Sequence, residues 1–234
     1  MRVSDRLASL AAQYQLPDAG AARFERLLEA LAAEADPHTT ITDPLAAADQ
    51  HIADSLSALK LDGVRNAERL VDIGAGAGFP GLVLAIALPH TRVDLVESAR
   101  RKCAVIGRLI HAVGLDNAHP IPVRAEDWAA SDGRNAYDVA TARAVAPLAV
   151  LVEYAAPLLR QGGRCVAWKG ARHAAEESAG RAAADIVGLR RTEVLHVTPF
   201  AGARDLNLHV YLKDRETPGR FPRRPGAATK RPLA

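Results

Sequence analysis

The segment VDIGAGAGFPG, residues 71–81, decides the fold of this 234-residue chain. It links an apolar run that ends at Ile73 to a second apolar stretch, Leu82–Leu88. Glycine occupies four of the eight positions from 74 to 81, which leaves the backbone bare at the turn between the two stretches. A strand that turns through bare backbone into a helix is typical of ligand sites at the carboxyl ends of parallel strands.

Strand and helix patterns alternate from Asn66 onwards, which favours a parallel sheet with crossover helices. The predicted strands are Arg69–Ile73, Arg92–Glu97, Ala118–Val123, Tyr137–Ala142, Arg164–Trp168, Thr192–Thr198 and Asn207–Lys213. The predicted helices are Pro80–Leu88, Ala99–Val113, Leu148–Leu159 and Ala171–Ile186. The last two strands are joined by a short link, so they pair antiparallel or lie apart in the sheet. We therefore predict an α/β fold with a mainly parallel sheet and an antiparallel last strand, which is characteristic of the Rossmann-like class I methyltransferases.

The regions on either side of this sheet have a different character. Residues 4–60 show only helical spacing, with Asp43-Pro44 as the start of a third helix that Gly63 stops. The last 21 residues are rich in proline and glycine and carry six Lys/Arg against two Asp/Glu, which is typical of a poorly ordered end. We predict a helical N-terminal cap (1–63), a ligand-binding domain (64–213) and a basic tail (214–234).

Composition argues against a membrane protein, a disulfide-bonded protein and a metalloprotein. No stretch reaches the roughly 18 apolar residues of a membrane helix, and the first residues carry charges where a signal peptide is apolar, so a cytoplasmic location is expected. Cys103 and Cys165 stand alone, and the eight histidines show no metal-ligand spacing, so neither disulfides nor a metal site is expected. A net charge of +3 is too mild to identify a nucleic-acid partner by itself.

The glycine loop alone leaves its ligand open. Gly76, Gly78 and Gly81 satisfy the G-x-G-x-x-G pattern of dinucleotide sites, while the same bare backbone suits S-adenosylmethionine. Glu97, at the end of the second strand, would bind ribose hydroxyls of either ligand. Asp72 favours S-adenosylmethionine, because a carboxylate attracts the ammonium group of a methionine moiety and repels a pyrophosphate. Its alternative role is to cap the turn.

Two basic residues end later strands. Arg143 closes the fourth strand and Lys169 follows the fifth, so both are expected at the ligand edge of the sheet. We predict that they hold the substrate, with surface salt bridges as the alternative interpretation.

Several motifs together resemble one family. They are the Ile41–Pro44 segment, the His51–Leu56 segment, the loop VDIGAGAGFPG, Thr141–Ala144, Trp168–Gly170, and the ending FPRRPGAATKRPL. In this order they resemble the bacterial 16S rRNA guanine-N7 methyltransferases, also called the glucose-inhibited division protein B family.

The resemblance implies S-adenosylmethionine as the methyl donor and guanine N7 of 16S rRNA, in the small ribosomal subunit, as the acceptor. It implies cofactor contacts by Gly74, Phe79, Ala125, Glu126 and Arg143. Asp72, Gly76 and Glu97 are predicted to join them from the pattern of the loop and the strand ends. His51 and Asp54 match a motif that faces the site, and with Arg223 and Arg224 of the basic tail they are the predicted RNA-binding residues. A monomer is expected.

Two other functions stay open on the sequence alone. An NAD-dependent oxidoreductase would need a proton donor near the nicotinamide, and none stands out. A non-catalytic RNA-binding assembly factor would have no use for the intact glycine loop. Methylation of N7 needs no general base, because that nitrogen carries a lone pair and no proton, so positioning becomes the main catalytic task.

Overall fold

The computed structural model describes residues 2–234, and a seven-stranded sheet forms its centre. The strands are β1 (Arg69–Ile73), β2 (Arg92–Val96), β3 (Ala118–Ile121), β4 (Tyr137–Arg143), β5 (Leu159–Lys169), β6 (Leu189–Val197) and β7 (Leu206–Lys213). Their order across the sheet is β3-β2-β1-β4-β5-β7-β6. Only β7 is antiparallel to its neighbours, β5 and β6. The predicted mainly parallel sheet with an antiparallel last strand is confirmed.

Successive strands are added on one side of β1 up to β3 and on its other side from β4 onwards. Strand β1 pairs with β2 on one side and with β4 on the other, so that Asp72 lies opposite both Leu95 and Thr141. The connections that leave β1 and β4 therefore diverge to opposite sides, which opens a crevice at the carboxyl ends of these strands. The glycine loop and Arg143 both lie at this crevice.

Helices cover both faces of the sheet. The N-terminal helices are α1 (Val3–Tyr14), α2 (Gly20–Ala33), α3 (Pro44–Ala47), α4 (Asp54–Leu56) and α5 (Asp62–Arg65). The later helices are α6 (Gly81–Ala87), α7 (Arg100–Val113), α8 (Ala125–Ala129), α9 (Leu148–Ala155), α10 (Ala174–Val187) and α11 (Ala227–Lys230). Helix α9 ends before its predicted limit, because Leu159 already pairs with Tyr137 as the start of β5. Helix α8 was not predicted.

Alternate side chains of each strand enter two different cores. Leu70 and Val139 face the core that contains α1, α2, α6 and α7, whereas Val71 and Ala140 face the core that contains α9 and α10. The N-terminal helices therefore share their hydrophobic core with one face of the sheet. The division of the chain at residue 63 remains a prediction.

The third predicted helix is irregular. Asp43 caps it as predicted, with its Oδ1 accepting a hydrogen bond from the Ala46 N–H at 2.7 Å. A π-helix, Ala48–Ala53, interrupts the α-helical turns, and a 3₁₀ turn, Ser57–Lys60, follows them. Gly63 does not stop the helix but lies inside α5, where a Cβ would lie 3.0 Å from the Arg164 side chain.

The C-terminal segment 214–234 is packed against the domain, contrary to the predicted poorly ordered end. The Phe221 side chain is 1% exposed, and Arg134 Nη1 donates to the Phe221 carbonyl oxygen at 3.1 Å. Removal of a large apolar side chain from water stabilises the folded state by roughly 2 kcal/mol or more. This burial, which a composition rich in proline and glycine does not reveal, fixes the path of the tail.

Residues 2–234 hold neither a membrane-spanning helix nor a cluster of metal ligands. None of their helices is long and apolar enough to cross a membrane. In the same residues, no three His, Cys, Asp or Glu side chains come together in a group suited to hold a metal ion. Cys103 and Cys165 are both buried free thiols.

Candidate active site

Two adjoining cavities occupy the crevice at the carboxyl ends of the strands. The larger, of about 440 Å³, is lined by the glycine loop, Glu97, Arg143 and His51, and we call it the loop cavity. The smaller, of about 190 Å³, lies beside Ala125 and Glu126 at the start of α8, and we call it the α8 cavity. They share the lining residues Gly74, Ser98 and Val145, so together they form one elongated site.

The glycine loop has a backbone that only glycine adopts readily. The φ angles of Gly74, Gly76 and Gly78 are +66°, +60° and +96°. A Cβ on Gly78 would lie 2.4 Å from the Leu82 side chain, whereas one on Gly76 would have no atom closer than 3.8 Å. The loop is therefore packed tightly against helix α6 on one side and leaves bare backbone on the cavity side.

Glu97 connects this loop to the next strand. Its Oε2 accepts a hydrogen bond from the Gly76 N–H at 3.0 Å, and its Oε1 accepts one from the Ala99 N–H at 2.8 Å. The residue is 8% exposed and lines the loop cavity. Each carboxylate oxygen has two lone pairs, so both can also accept hydrogen bonds from hydroxyl groups of a ligand.

Asp72 does not line either cavity, and its direct contact with the cofactor stays a prediction. It is 1% exposed and lies below the loop, where Oδ2 accepts from the Gly81 N–H and Oδ1 from the Thr141 hydroxyl, both at 2.9 Å. Burial raises its pKa from 3.8 to about 7, against the lowering effect of these two hydrogen bonds. Asp72 therefore positions the loop from behind, which was the alternative interpretation.

An aromatic pair and an arginine form another part of the wall of the loop cavity. The rings of His51 and Phe79 are stacked, with centroids 4.3 Å apart and planes inclined by 8°. The Arg143 guanidinium lies 5.8 Å from the centre of the Phe79 ring, a cation–π distance. These three residues, which come from the N-terminal helices, the glycine loop and β4, are brought together at the loop cavity.

Arg143 is held by the N-terminal helices. Its Nη1 donates to the Gln50 carbonyl oxygen and to Asp54 Oδ2, both at 2.9 Å. Asp54 is 8% exposed, and its burial raises its pKa while Arg143 opposes this effect. Trp168 Nε1 donates to the Asp54 carbonyl oxygen at 3.1 Å and connects the same turn to β5. The guanidinium therefore has a fixed position at the rim of the cavity.

His51 is a neutral side chain at physiological pH. Burial and the neighbouring Arg143 charge lower its pKa from 6.5 to about 4. Its Nε2 lies 3.0 Å from Thr39 Oγ1, and its Nδ1 lies 3.5 Å from Arg143 Nη2. Because the guanidinium has only donors, Nδ1 is the acceptor and Nε2 carries the proton. The ring thus contributes a flat surface rather than a charge.

The remaining predicted site residues lie elsewhere. Lys169 Nζ pairs with Glu176 Oε1 at 2.6 Å and lines neither cavity, and its contact with the substrate stays a prediction. The guanidinium of Arg223 is bound to Glu153 by two hydrogen bonds of 2.6 Å, so it does not project freely as an RNA-binding residue would. Arg224 is exposed, as predicted for the tail.

The sequence analysis missed several cavity residues, of which four carry polar groups discussed below. Thr39 and Lys102 line the loop cavity, and Tyr154 and Thr229 line the α8 cavity. Lys102 lies on the first turn of α7, so its position near Glu97 follows from the predicted helix. Tyr154 and Thr229 had no such signal, because only the packed tail brings them together.

Comparisons with solved structures give the class of the fold. A mutant of the protein MtNAS in complex with S-adenosylmethionine superposes with a TM-score of 0.56 at 18% identity, covering 82% of this chain and 72% of that one. Fibrillarin of Aeropyrum pernix, in complex with natively bound S-adenosyl-L-methionine, superposes with a TM-score of 0.51 at 23% identity, covering 68% and 72%. At such identities the likeness shows the fold alone.

Comparisons of sequence are more specific. The family model described as GidB, rRNA small subunit methyltransferase G, matches residues 22–206. The ribosomal RNA small subunit methyltransferase G of Pelotomaculum thermopropionicum is 45% identical over 199 residues, which cover 83% of this chain and 82% of that protein. The protein of the same description in Rubrobacter xylanophilus is 43% identical over 188 residues, covering 79% and 72%.

The sheet order and the glycine-loop cavity define a class I methyltransferase, as the sequence predicted. Within this class, the chain belongs to the rRNA small subunit methyltransferase G family. The resemblance drawn from the sequence motifs is confirmed, and with it the prediction that the chain is a methyltransferase.

Proposed function

We propose that the protein transfers a methyl group from S-adenosylmethionine to N7 of a guanine in 16S rRNA of the small ribosomal subunit. The observation that carries this proposal is the loop cavity, which Glu97 and bare loop backbone line together with Arg143, Phe79 and His51. Membership of an rRNA methyltransferase family supports the choice of substrate.

The residues of the site fit S-adenosylmethionine. The bare backbone at Gly74 and Gly76 suits the methionine part, Glu97 suits the two ribose hydroxyls, and Ala125 and Glu126 suit the adenine. The α8 cavity lies beyond Glu97, at the position that the base would take when the ribose is bound there. When bound, this cofactor supplies a methyl group on a positively charged sulfur, and N7 takes it up as the carbon–sulfur bond breaks towards sulfur.

Arg143, His51 and Phe79 of the loop cavity suit the positioning of a nucleotide. Arg143 has a fixed guanidinium that can donate to a phosphate or to the base edge. The stacked rings of His51 and Phe79 offer an aromatic face of the kind on which unpaired bases stack. A neutral His51 does not protonate the acceptor nitrogen, whose lone pair has to remain free.

Further parts of the chain have proposed roles in RNA binding. Asp54 acts by orienting Arg143, and Arg224 of the tail contacts the RNA backbone by its charge. The N-terminal segment 1–63 supplies Thr39 and His51 to the cavity, so the predicted cap is part of the RNA-binding wall.

We also propose that the protein acts as a monomer in the cytoplasm, where ribosomal subunits are assembled. In residues 2–234, Val145, at the cavity, is the one exposed large hydrophobic side chain. The described surface therefore shows no apolar patch of the size that a stable dimer buries. Light scattering at working concentrations would test this state, and a dimer mass would contradict it.

The decisive experiment is methyl transfer from labelled S-adenosylmethionine to small subunits that lack the modification, followed by identification of the methylated nucleoside. Arg143→Ala should abolish most of the transfer. Arg190→Ala is a matched control, because Arg190 also forms a 2.9 Å ion pair with an aspartate, Asp214, but on β6 away from the cavities. Equal losses in both variants, or a label at another atom, would contradict the proposal.

The two competing functions are separated by binding measurements. An NAD-dependent oxidoreductase would bind NADH in calorimetry and not S-adenosylmethionine. A non-catalytic assembly factor would bind small subunits without any affinity for S-adenosylmethionine. The proposed methyltransferase binds both S-adenosylmethionine and its RNA substrate.

A further inference from the structure

The end of the chain forms a closed loop that is tied to α9 at its base. Arg223 donates to both carboxylate oxygens of Glu153 at 2.6 Å, and Glu153 is 3% exposed. The same guanidinium donates from Nη2 to the Arg231 carbonyl oxygen at 2.9 Å. Two ends of one segment are therefore held together by a single guanidinium, which a buried carboxylate anchors. We call residues 223–231 the tail clasp.

The middle of the tail clasp reaches the α8 cavity. The Gly226 N–H donates to Glu126 Oε1 at 2.8 Å. Thr229 Oγ1 lies 3.1 Å from the Tyr154 hydroxyl oxygen. Thr229, Tyr154 and Glu126 all line the α8 cavity. The last residues of the sequence thus contribute directly to a wall of the elongated site.

The α8 cavity has the character of a site for a flat base. Apolar side chains that include Ile73, Val96 and Val123 line it, and the polar groups of Glu126 and Thr229 lie among them. Binding sites for small molecules are commonly apolar with a few placed polar groups of this kind. The hydrogen bond from Gly226 to Glu126 takes up one lone pair of the carboxylate and fixes its orientation.

We infer that the tail clasp is the outer wall of the adenine part of the cofactor site, with Thr229 on the wall and Gly226 as a positioning residue for Glu126. This inference rests on the proposed function, since it assigns the α8 cavity to the adenine of S-adenosylmethionine. Binding of the cofactor and docking of the tail are then coupled, and each strengthens the other to the same extent.

Calorimetry of the full-length chain with S-adenosylmethionine tests the inference. Thr229 is exposed to solvent, so Thr229→Phe places a ring at the cavity without disturbing the core. This variant should raise the dissociation constant about tenfold or more, which corresponds to about 1.4 kcal/mol. Gly226→Pro removes the N–H that Glu126 binds and also forbids the φ of +77° at this position, so it undocks the tail clasp and should weaken binding severalfold. Lys230→Gln, an exposed change within the tail clasp that lines neither cavity, is the control and should leave binding within twofold.

Limited trypsin digestion gives an independent readout that does not depend on a substitution. Saturating S-adenosylmethionine should slow cleavage after the exposed Lys230 in the wild-type chain severalfold, because the bound cofactor holds the tail clasp closed. The inference is overturned if wild type binds S-adenosylmethionine, Thr229→Phe binds it equally well, and cleavage is unchanged. Failure of the wild type itself to bind S-adenosylmethionine would instead overturn the proposed function.

Discussion

Replacing Asp72 by asparagine tests whether this residue supports the glycine loop or binds the cofactor. The pKa of Asp72 is 3.8 in its ordinary state and about 7 in the fold, because the side chain is almost completely buried. Between these two pH values the folded chain keeps a proton that the unfolded chain has lost. The free energy of unfolding therefore falls as pH rises from about 4 to about 7. Three pKa units correspond to a loss of about 4 kcal/mol, of which about 3 kcal/mol falls between pH 5 and pH 8.

Asparagine fits the same two partners without a charge. Its Oδ1 accepts from the Gly81 N–H, and its amide donates to Thr141 Oγ1, whose own proton turns to the Val71 carbonyl oxygen 3.4 Å away. The variant has no carboxyl group at this position that titrates. Its stability relative to wild type should therefore increase by about 3 kcal/mol from pH 5 to pH 8.

Urea unfolding of both proteins over this pH range measures the difference. Asp94→Asn is the control, because Asp94 is equally buried but binds the Tyr137 hydroxyl and the guanidinium of Arg92. Neutralising Asp94 removes the charge partner of Arg92 and should destabilise the protein at pH 8. A pH-independent difference for Asp72→Asn would refute the raised pKa. Loss of S-adenosylmethionine binding in a stable Asp72→Asn protein would support the direct contact predicted from the sequence.

The other predictions concern packing and the arginine of the site. Gly78→Ala should lower stability by about 1–3 kcal/mol in urea unfolding, because its Cβ would overlap Leu82 at a φ of +96°. Gly107→Ala, inside α7 with its nearest neighbour 4.0 Å away, should instead raise stability by up to about 1 kcal/mol, and a loss would contradict the packing described. Phe24→Ala in α2 should cost about 3–5 kcal/mol, since this side chain is 0% exposed, and a cost below 1 kcal/mol would show that α2 does not share the core. Arg143→Lys keeps the charge but loses one of two hydrogen bonds, so methyl transfer should fall about tenfold with unchanged thermal unfolding; wild-type rates would show that charge alone suffices.

The sheet was predictable because its signals are local. Alternation of apolar residues placed the strands, and the glycines placed the turn after β1. The helix cap at Asp43 was likewise predictable from local sequence, because Asp43 and its partner Ala46 are only three positions apart. Even the orientation of Asp72 follows from strand alternation, because it shares a face with Leu70, which enters the core beneath α6. The sequence analysis predicted a ligand contact from the charge of Asp72. The alternation of side chains along the strand would instead have predicted a position behind the loop.

The features that sequence analysis missed depend on contacts between distant residues. The tail is ordered by Arg223 and Glu153, which are 70 positions apart and carry no motif that couples them. Lys169 was expected at the substrate because β5 ends there, but a carboxylate on the following helix, Glu176, takes up its charge. Such pairings depend on where helices come to lie, so a single sequence does not reveal them.

The π-helix that contains His51 has a consequence for how the family can vary. A π-turn holds one residue more than an α-turn, so it shifts the phase of everything that follows it by about 100°. At its start, Asp49 binds Arg6 of α1 at 2.7 Å, and directly after its end Asp54 binds Arg143. Deletion of one residue from this turn would regularise the helix but leave only one of these two ion pairs in register. The extra residue thus sets the rotation of the helix so that one ion pair binds it to α1 and the other orients Arg143 at the site.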